Sequence, residues 1–468
     1  MTQARSELNQ GPVARQLARL SAPLSIGIFG VLAVGLSDAF FLARAGQTEL
    51  TAIGFVYPVI VAVSAFSVGL SAGANTALSQ ARGREATDEA VAVLALHACI
   101  LGACIGIMIA VSLWLMAPWL FSILGAEDRV LDAILSYLPF WIASFPILVV
   151  TMILNSAFRA AGDGLTAAMI MVITAVLNIA LTPALIFGYG PMPEMGMAGA
   201  GLATLLARVF ALSLAIVLAL RRDMVVLTKR PFEGLWGSIR EIFGVALPAG
   251  ASRAINPAGM AAVTAAVATV GDVAVAGFGA ASRVQAIALV PFFALAAGLG
   301  PVVGQAWGAG DEDRARSAMR AATVFVVIYG AALAAVLAFF ADPLARLMTA
   351  DEASAAYTAD YLRFVGWSLV GYGLAVAANA AVTGRSRAVW AMGLSLSRIG
   401  LLYIPFAWLG VLTLGYPGVL AAAVAANVGA FWGALIATSA TRIGPTDTAV
   451  VRIPADRIVA LAPTTARE

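Results

Sequence analysis

An all-α integral membrane protein, with twelve membrane-spanning helices in two halves related by a parallel internal repeat, is the fold the sequence predicts, and three observations predict it. Of 468 residues, 61% are hydrophobic and only 11% charged, with a mean hydropathy of +0.94. Soluble domains carry roughly 25% charged residues, so lipid surrounds most of this surface. Apolar stretches recur along the whole chain, each near or above the ~20 residues a helix needs to cross a bilayer. The same short motifs also return, in order, about half a chain later. A soluble enzyme, a disordered chain and a disulfide-rich secreted fold are excluded. Cys99 and Cys104 lie inside one apolar run and imply neither a disulfide framework nor a metal site.

Apolar runs bounded by charge or by Pro/Gly clusters place the spans near 18–43, 51–80, 90–112, 132–158, 165–188, 197–220, 241–268, 275–305, 316–340, 356–383, 388–413 and 416–440. Several exceed a perpendicular crossing, which fits tilted helices or helices that project past the bilayer. The first run follows an arginine-bearing tail and lacks a small-residue cleavage pattern, so it reads as a span and not as a leader. Lys and Arg are retained on the cytoplasmic side. The connections that share a side with both tails hold twenty of them, from Arg5 to Arg467, and the opposite connections hold only Arg44, Arg129 and Arg346. Both termini are therefore expected in the cytoplasm of an inner (plasma) membrane protein. The net charge of +3 is topological and gives no nucleic-acid signal, while the basic rim suits anionic lipid headgroups.

The connection from Arg221 to Arg240 is the most polar and splits the chain nearly in half. At an offset of 225, Pro23 meets Pro248, Gln80-Ala81-x-Gly83 meets Gln305-Ala306-x-Gly308, and Asp88 meets Asp313; at 222, Pro183 meets Pro405; at 219, Gly196 meets Gly415. Preserved order with a slowly shrinking offset is what duplicated halves leave behind. An even number of spans per half means that both insert with the same polarity, and such repeats enclose a substrate cavity at their interface. The organisation expected is a first half at 1–220, a cytoplasmic linker at 221–240, a second half at 241–440 and a cytoplasmic tail at 441–468.

One carboxylate stands apart. Asp38, in Gly35-Leu-Ser-Asp38-Ala-Phe-Phe41, has apolar sequence from Leu20 before it and only Arg44 shortly after. An ionised Asp at a helix centre costs about 2.5–3.5 kcal/mol, so it must face a cavity or a partner, and desolvation there disfavours its charged form. Two readings follow: an acid near the outer interface satisfied by water or Arg44, or a carboxylate that alternates between protonated and ion-bound states. Its repeat counterpart is Val263, so such a site belongs to the first half alone. Asn178 and Thr182 lie one helical turn apart just before Pro183, and Thr204 sits in the next span. Each can serve as interhelical glue; with Asp38 they offer oxygens to a cation or hydrogen bonds to a neutral acid.

Arg208, Arg253, Arg283, Arg363 and Arg398 also fall within spans. Arg363 is near an outer end, where it can snorkel. Arg253 and Arg398 are deeper, with no carboxylate in the middle of the second half to neutralise them; they line a wet cavity, pair with carbonyls or contact an anionic group. His97, the only histidine, reads as a packing residue. No GxxxxGK[ST] loop, HExxH or paired acidic motif is present, and Gly162-Asp163-Gly164 is a turn, so neither nucleotide hydrolysis nor metal-dependent catalysis is expected.

These residues carry a resemblance. Gly35-Leu-Ser-Asp38-Ala-Phe-Phe41, Phe158-Arg159-Ala-Ala-Gly162-Asp163, Leu177-Asn178-Ile-Ala-Leu-Thr182-Pro183, Gly196-Met-Ala-Gly199-Ala-Gly-Leu-Ala-Thr204 and Gly304-Gln305-Ala-Trp-Gly308-Ala-Gly310 together resemble the multidrug and toxic compound extrusion (MATE) transporters, nearest to their DinF-like branch, over essentially the whole chain. The resemblance implies two six-helix bundles, a monomer, small organic substrates, alternation between inward and outward openings, and an ion gradient in place of any bound cofactor. It also implies that Asp38 is the first-span coupling acid, with Asn178 and Thr204 beside it. This chain departs at two positions: many members have an acid where Thr182 stands, and the acid that other branches place in span seven is here Asn256. A single titrating acid favours protons, although one carboxylate with neutral oxygens can also hold sodium. Asn256, Arg253, Arg283 and Arg398 are the expected cavity residues. The rival readings are a sodium-coupled exporter and a flippase for lipid-linked sugars, in which Arg208, Arg253, Arg283 and Arg398 would bind diphosphate.

Overall fold

The computed structural model describes residues 7–190, 192–226 and 230–445, and all its regular elements are helical. The first six spans are α1 (Val13–Ala45), α2 (Gln47–Gly83), α3 (Asp88–Ile123), α4 (Asp128–Ala160), α5 (Gly164–Phe187) and α6 (Gly196–Arg221). Polar caps set the tail-side corners: the Thr87 side chain accepts from Ala90 N at 3.2 Å, and Asp163 accepts from Thr166 N at 3.0 Å. At the far corner Gly188 adopts a left-handed conformation (φ 69°) that ends α5, packed too closely against Glu194 to admit a Cβ.

The second half begins with α7 (Leu235–Ala268), whose Arg240, Glu241, Arg253 and two prolines dilute its hydropathy. Among the described residues eleven other helical segments are long and apolar enough to cross a membrane. The predicted spans eight, ten and eleven are each interrupted. Span eight is α8 (Asp272–Ala288) and α9 (Val290–Gly308), broken where Pro291 removes a backbone donor. Next come α10 (Glu312–Phe339) and a short α11 (Ala341–Met348). Span ten is α12 (Glu352–Val365) and α13 (Leu369–Gly384), joined by a 3₁₀ turn at Gly366–Ser368. Span eleven runs from α14 (Ala388–Leu396) through a π-helical turn, Ser397–Tyr403, into α15 (Ile404–Leu414); Pro405 follows, whose ring cannot sit in an uninterrupted ladder. The last span is α16 (Tyr416–Ala440).

The repeat motif forms the seam between the halves. A Cβ on Gly83 would fall 2.1 Å from Gln305 O, and one on Gly308 would fall 2.3 Å from Gln80 O, so the two copies of Gln-Ala-x-Gly pack on each other reciprocally. The glutamines cross over in the same way. Gln80 Nε2 donates to Gly384 O (2.8 Å) in the second half, and Gln305 Nε2 donates to Ala160 O (2.6 Å) in the first. Gly69 and Gly73 on α2 bring it within backbone contact of Ala246 and Ile242 on α7, and Gly298 meets Ser21. Small residues that allow such approach are how membrane helices associate. All these contacts lie in the tail-side parts of α1, α2, α4, α7 and α9 or at the tail-side end of the span that closes at Gly384, so the two lobes are sealed on the side of the chain's tails. The chain's start joins the seal: Leu8, Leu17 and Leu20 are buried in the second half's core, and Arg314 donates to Leu8 O at 2.6 Å.

Candidate functional site

In the first lobe α1 and α5 run parallel. The register that sets Gly27 against Met171 and Gly30 against Ala175 continues outward to Asp38 against Thr182. Thr182 Oγ1 lies 3.1 Å from Asp38 Oδ1 and 3.4 Å from Asn178 Oδ1. Asn178 Nδ2 donates to Thr204 Oγ1 (3.2 Å), which donates in turn to Ala200 O (3.1 Å). All three neutral partners are buried, Thr182 completely, whereas Asp38 is half-buried. Helical spacing assembles the cluster: Asn178 and Thr182 share one face of α5, and Thr204 and Arg208 share one face of α6.

Arg208, noted from sequence as an arginine within a span, is brought beside this cluster, a placement that reading by span did not foresee. Its Nη1 donates to Ser144 Oγ at 2.6 Å, its guanidinium lies 5.9 Å from the Trp141 ring centroid, and its charge acts on Asp38. Arg44 sits over the Phe40 ring at 4.6 Å. A single hydroxyl proton cannot serve both acceptors of Thr182. An ionised Asp38 takes it and leaves Asn178 Oδ1 without that donor; a protonated Asp38 donates to Thr182, which is then free to donate to Asn178.

The second lobe holds a charge of the opposite sign. Arg398, on the π-helical turn, is 9% exposed. Its Nε donates to Asn427 Oδ1 (3.2 Å), its Nη1 donates to Asn256 Oδ1 (3.0 Å), and its guanidinium stacks 4.3 Å from the Tyr372 ring centroid. Asn427 Nδ2 donates to Ser368 Oγ at 2.8 Å. The guanidinium is satisfied by neutral amides and a π face.

Between the lobes, on the tail side, is a cavity of about 340 Å³ whose walls include Arg159, Arg253, Asn256, Phe293 and Tyr372. No Asp or Glu is among its lining residues. Ile28 on α1 borders it, ten residues before Asp38, which at 1.5 Å per residue puts the carboxylate about 15 Å farther along the helix. Of the two surroundings expected for Asp38, a cavity or a partner, the structure supplies a partner: packing of α1 on α5 sets the half-buried acid against Thr182 within the first lobe. Arg253 and Asn256 line the cavity, and Arg398 reaches it through Asn256; Arg283, exposed on α8, is not among the lining side chains. Arg159, read from sequence as a tail-side arginine, sits in the last turn of α4 and also lines the cavity. Arg363 is ion-paired with Asp342 instead of snorkelling alone. His97 is buried with its Nδ1 2.8 Å from Ser238 Oγ of α7, a packing contact between the lobes.

Known proteins share this arrangement. The MatE family model matches twice, over residues 23–184 and 248–409, whose starts are 225 apart, the offset of the repeat. The FAD transporter of Shewanella oneidensis is 32% identical over 425 residues, covering 91% of this chain and 94% of its own. The multidrug export protein MepA of Staphylococcus aureus is 22% identical over 437 residues, covering 92% of each. The crystal structure of the Vibrio cholerae MATE transporter VcmN in the bent form superposes with a TM-score of 0.86 at 27% identity, covering 92% of this chain and 97% of that one. A multidrug resistance MATE family transporter in its outward-facing conformation gives 0.85 at 27%, covering 93% and 98%. With the family model matched across both halves and a relative above 30% identity over nearly the full length, the chain belongs to the MATE family of membrane transporters.

Proposed function

We propose that the protein is a secondary active efflux antiporter that exports small organic molecules by alternating access, driven by protons through Asp38. Both termini lie in the cytoplasm of the plasma membrane, so the conformation described, sealed on the tail side, is outward-facing. The observation that carries the reading is the Asp38–Thr182–Asn178–Thr204 chain, a lone intramembrane carboxylate tied to two other helices by groups whose hydrogen bonding depends on whether it is charged.

A proton arriving from outside neutralises Asp38 and reverses the Thr182 hydroxyl, which ties the network inward to Asn178. The hold of α1 on α5 and α6 changes, the lobes rock, and the proton leaves to the cytoplasm as the next cargo enters. Each charge moved through 100 mV contributes about 2.3 kcal/mol. No covalent chemistry and no bound cofactor are required. Relatives named for multidrug export support small organic cargo, and the relative named for FAD brings flavin nucleotides forward as one class of it. The test is transport in proteoliposomes under separately imposed proton and sodium gradients. The proton gradient should drive export, and Asp38→Asn should reduce it at least tenfold while the variant stays folded; unimpaired export by that variant, or export driven by sodium alone, overturns the assignment.

A further inference from the structure

Resting on the export reading and deepening it, the cavity's chemistry assigns the cargo: we propose that the tail-side cavity binds a phosphorylated aromatic heterocycle, its phosphate bridging Arg159 of the first lobe and Arg253 of the second. Four observations support this. The walls hold guanidinium groups from both lobes and no carboxylate, so an organic cation would enter an uncompensated positive field. Arg253 is exposed into the opening and makes no hydrogen bond or ion pair among the described residues. Arg159 spends one Nη on Ser156 Oγ at 2.8 Å, while its Nε is buried with no partner, a costly arrangement that an anion would relieve. Arg253 falls within a predicted span, where a guanidinium is expensive to keep and is retained where it faces a pathway.

The apolar part of the wall selects the rest of the ligand. Phe293 and Tyr372 both line the cavity and meet edge to face, with ring centroids 6.5 Å apart, presenting a corner that accepts a planar ring. Arg398 stands behind Tyr372 and Asn256, adding a permanent positive charge one layer back. The flanking Asn75, Asn379 and Ser252 offer neutral polar groups for hydroxyls. A volume of about 340 Å³ lies within the range of small-molecule sites. A phosphate held between arginines on opposite lobes would also couple cargo release to their separation.

The probe pair is riboflavin 5′-phosphate and riboflavin, which differ by one phosphate, measured by equilibrium dialysis on the detergent-purified full chain. The phosphate ester should bind at least tenfold more tightly. That advantage should vanish in Arg253→Gln, recover in Arg253→Lys, and shrink with added salt. Arg283→Gln, on an exposed arginine outside the cavity lining, should bind the ester as the unmodified protein does. Equal binding of the two flavins, binding of neither, or preferential binding of tetraphenylphosphonium overturns the proposal. Displacement by stoichiometric phosphatidylglycerol also overturns it, assigning the arginines to a lipid headgroup. Binding needs no gradient, so failure here leaves Asp38 coupling standing, and loss of gradient response in liposomes leaves the cargo assignment standing.

Discussion

The two lobes share one repeat, yet the charge each holds in a side-chain hydrogen-bond chain differs in sign and place, a half-buried carboxylate in the first and a buried guanidinium in the second. The first lobe holds the Asp38 carboxylate against a hydroxyl and an amide chain; the second holds the Arg398 guanidinium against two asparagine oxygens and a tyrosine face. The chemistry differs in kind. A carboxylate can discharge itself by taking a proton, whereas arginine remains charged in proteins. On the proposed proton coupling, a symmetric frame therefore carries its titrating group in one half and a fixed charge in the other. The position of Asp38 is Val263 in the second half, so the carboxylate has no twin.

Removing each charge should break the molecule in different ways, and this contrast gives the largest effects. Asp38→Asn keeps size and an acceptor for Thr182, so thermal stability should stay near that of the unmodified protein while proton-driven export is lost. Arg398→Leu should do the reverse. It strips the donors from Asn256 Oδ1 and Asn427 Oδ1, and each buried acceptor left unsatisfied costs about 1–3 kcal/mol. A clear drop in detergent melting temperature is expected. Equal melting temperatures for the two variants would mean that the second-lobe charge is solvated and not structural.

The seam tests the symmetry itself. Because a Cβ at Gly83 and one at Gly308 would each strike a carbonyl oxygen of the opposite copy, Gly83→Ala and Gly308→Ala should be equivalent. Overpacking of this kind costs about 1–3 kcal/mol, and here it acts only on the state sealed at the tail side. Spin-label distances between the tail-side ends of α2 and α9 should shift toward the separated population in both variants, to a similar degree. A shift in one variant alone would mean that the contact is not a working pseudo-twofold.

Comparison of the lobes also explains what the sequence could disclose. All twelve spans were legible, because apolar runs between charged or Gly/Pro-rich connections are a local property of the chain. The repeat was legible in Gln80-Ala81-x-Gly83 and Gln305-Ala306-x-Gly308, though not the fact that the copies grip one another. Asp38 stood out as the lone acid in an apolar run, and Asn178 and Thr182 followed from helical spacing. Arg208 beside Asp38 did not, since its partner Ser144 belongs to a span 64 residues earlier and only packing of α4 on α6 unites them. The amide cage of Arg398 was equally hidden: Asn427 is 29 residues away and Asn256 is 142, and the π-helical turn that aims the side chain has no local signature beyond Pro405. That Arg159, a tail-side arginine in the last turn of α4, also lines the cavity was hidden, because hydropathy does not show which way a helix end faces.

The finest prediction isolates the hydroxyl that connects acid to amide. Thr182→Val preserves shape and β-branching, but it removes both the donor to Asp38 and the link to Asn178. Thr182→Ser retains the hydroxyl. If reversal of that hydroxyl transmits the charge state of Asp38, the valine variant should export several-fold more slowly at saturating cargo and lose the dependence of rate on external pH. The serine variant should keep the pH profile even if its rate falls. A valine variant that is slower but keeps the full pH profile would show that Asp38 acts on the lobes directly, through its charge on Arg208, with Thr182 serving only to pack α5 against α1.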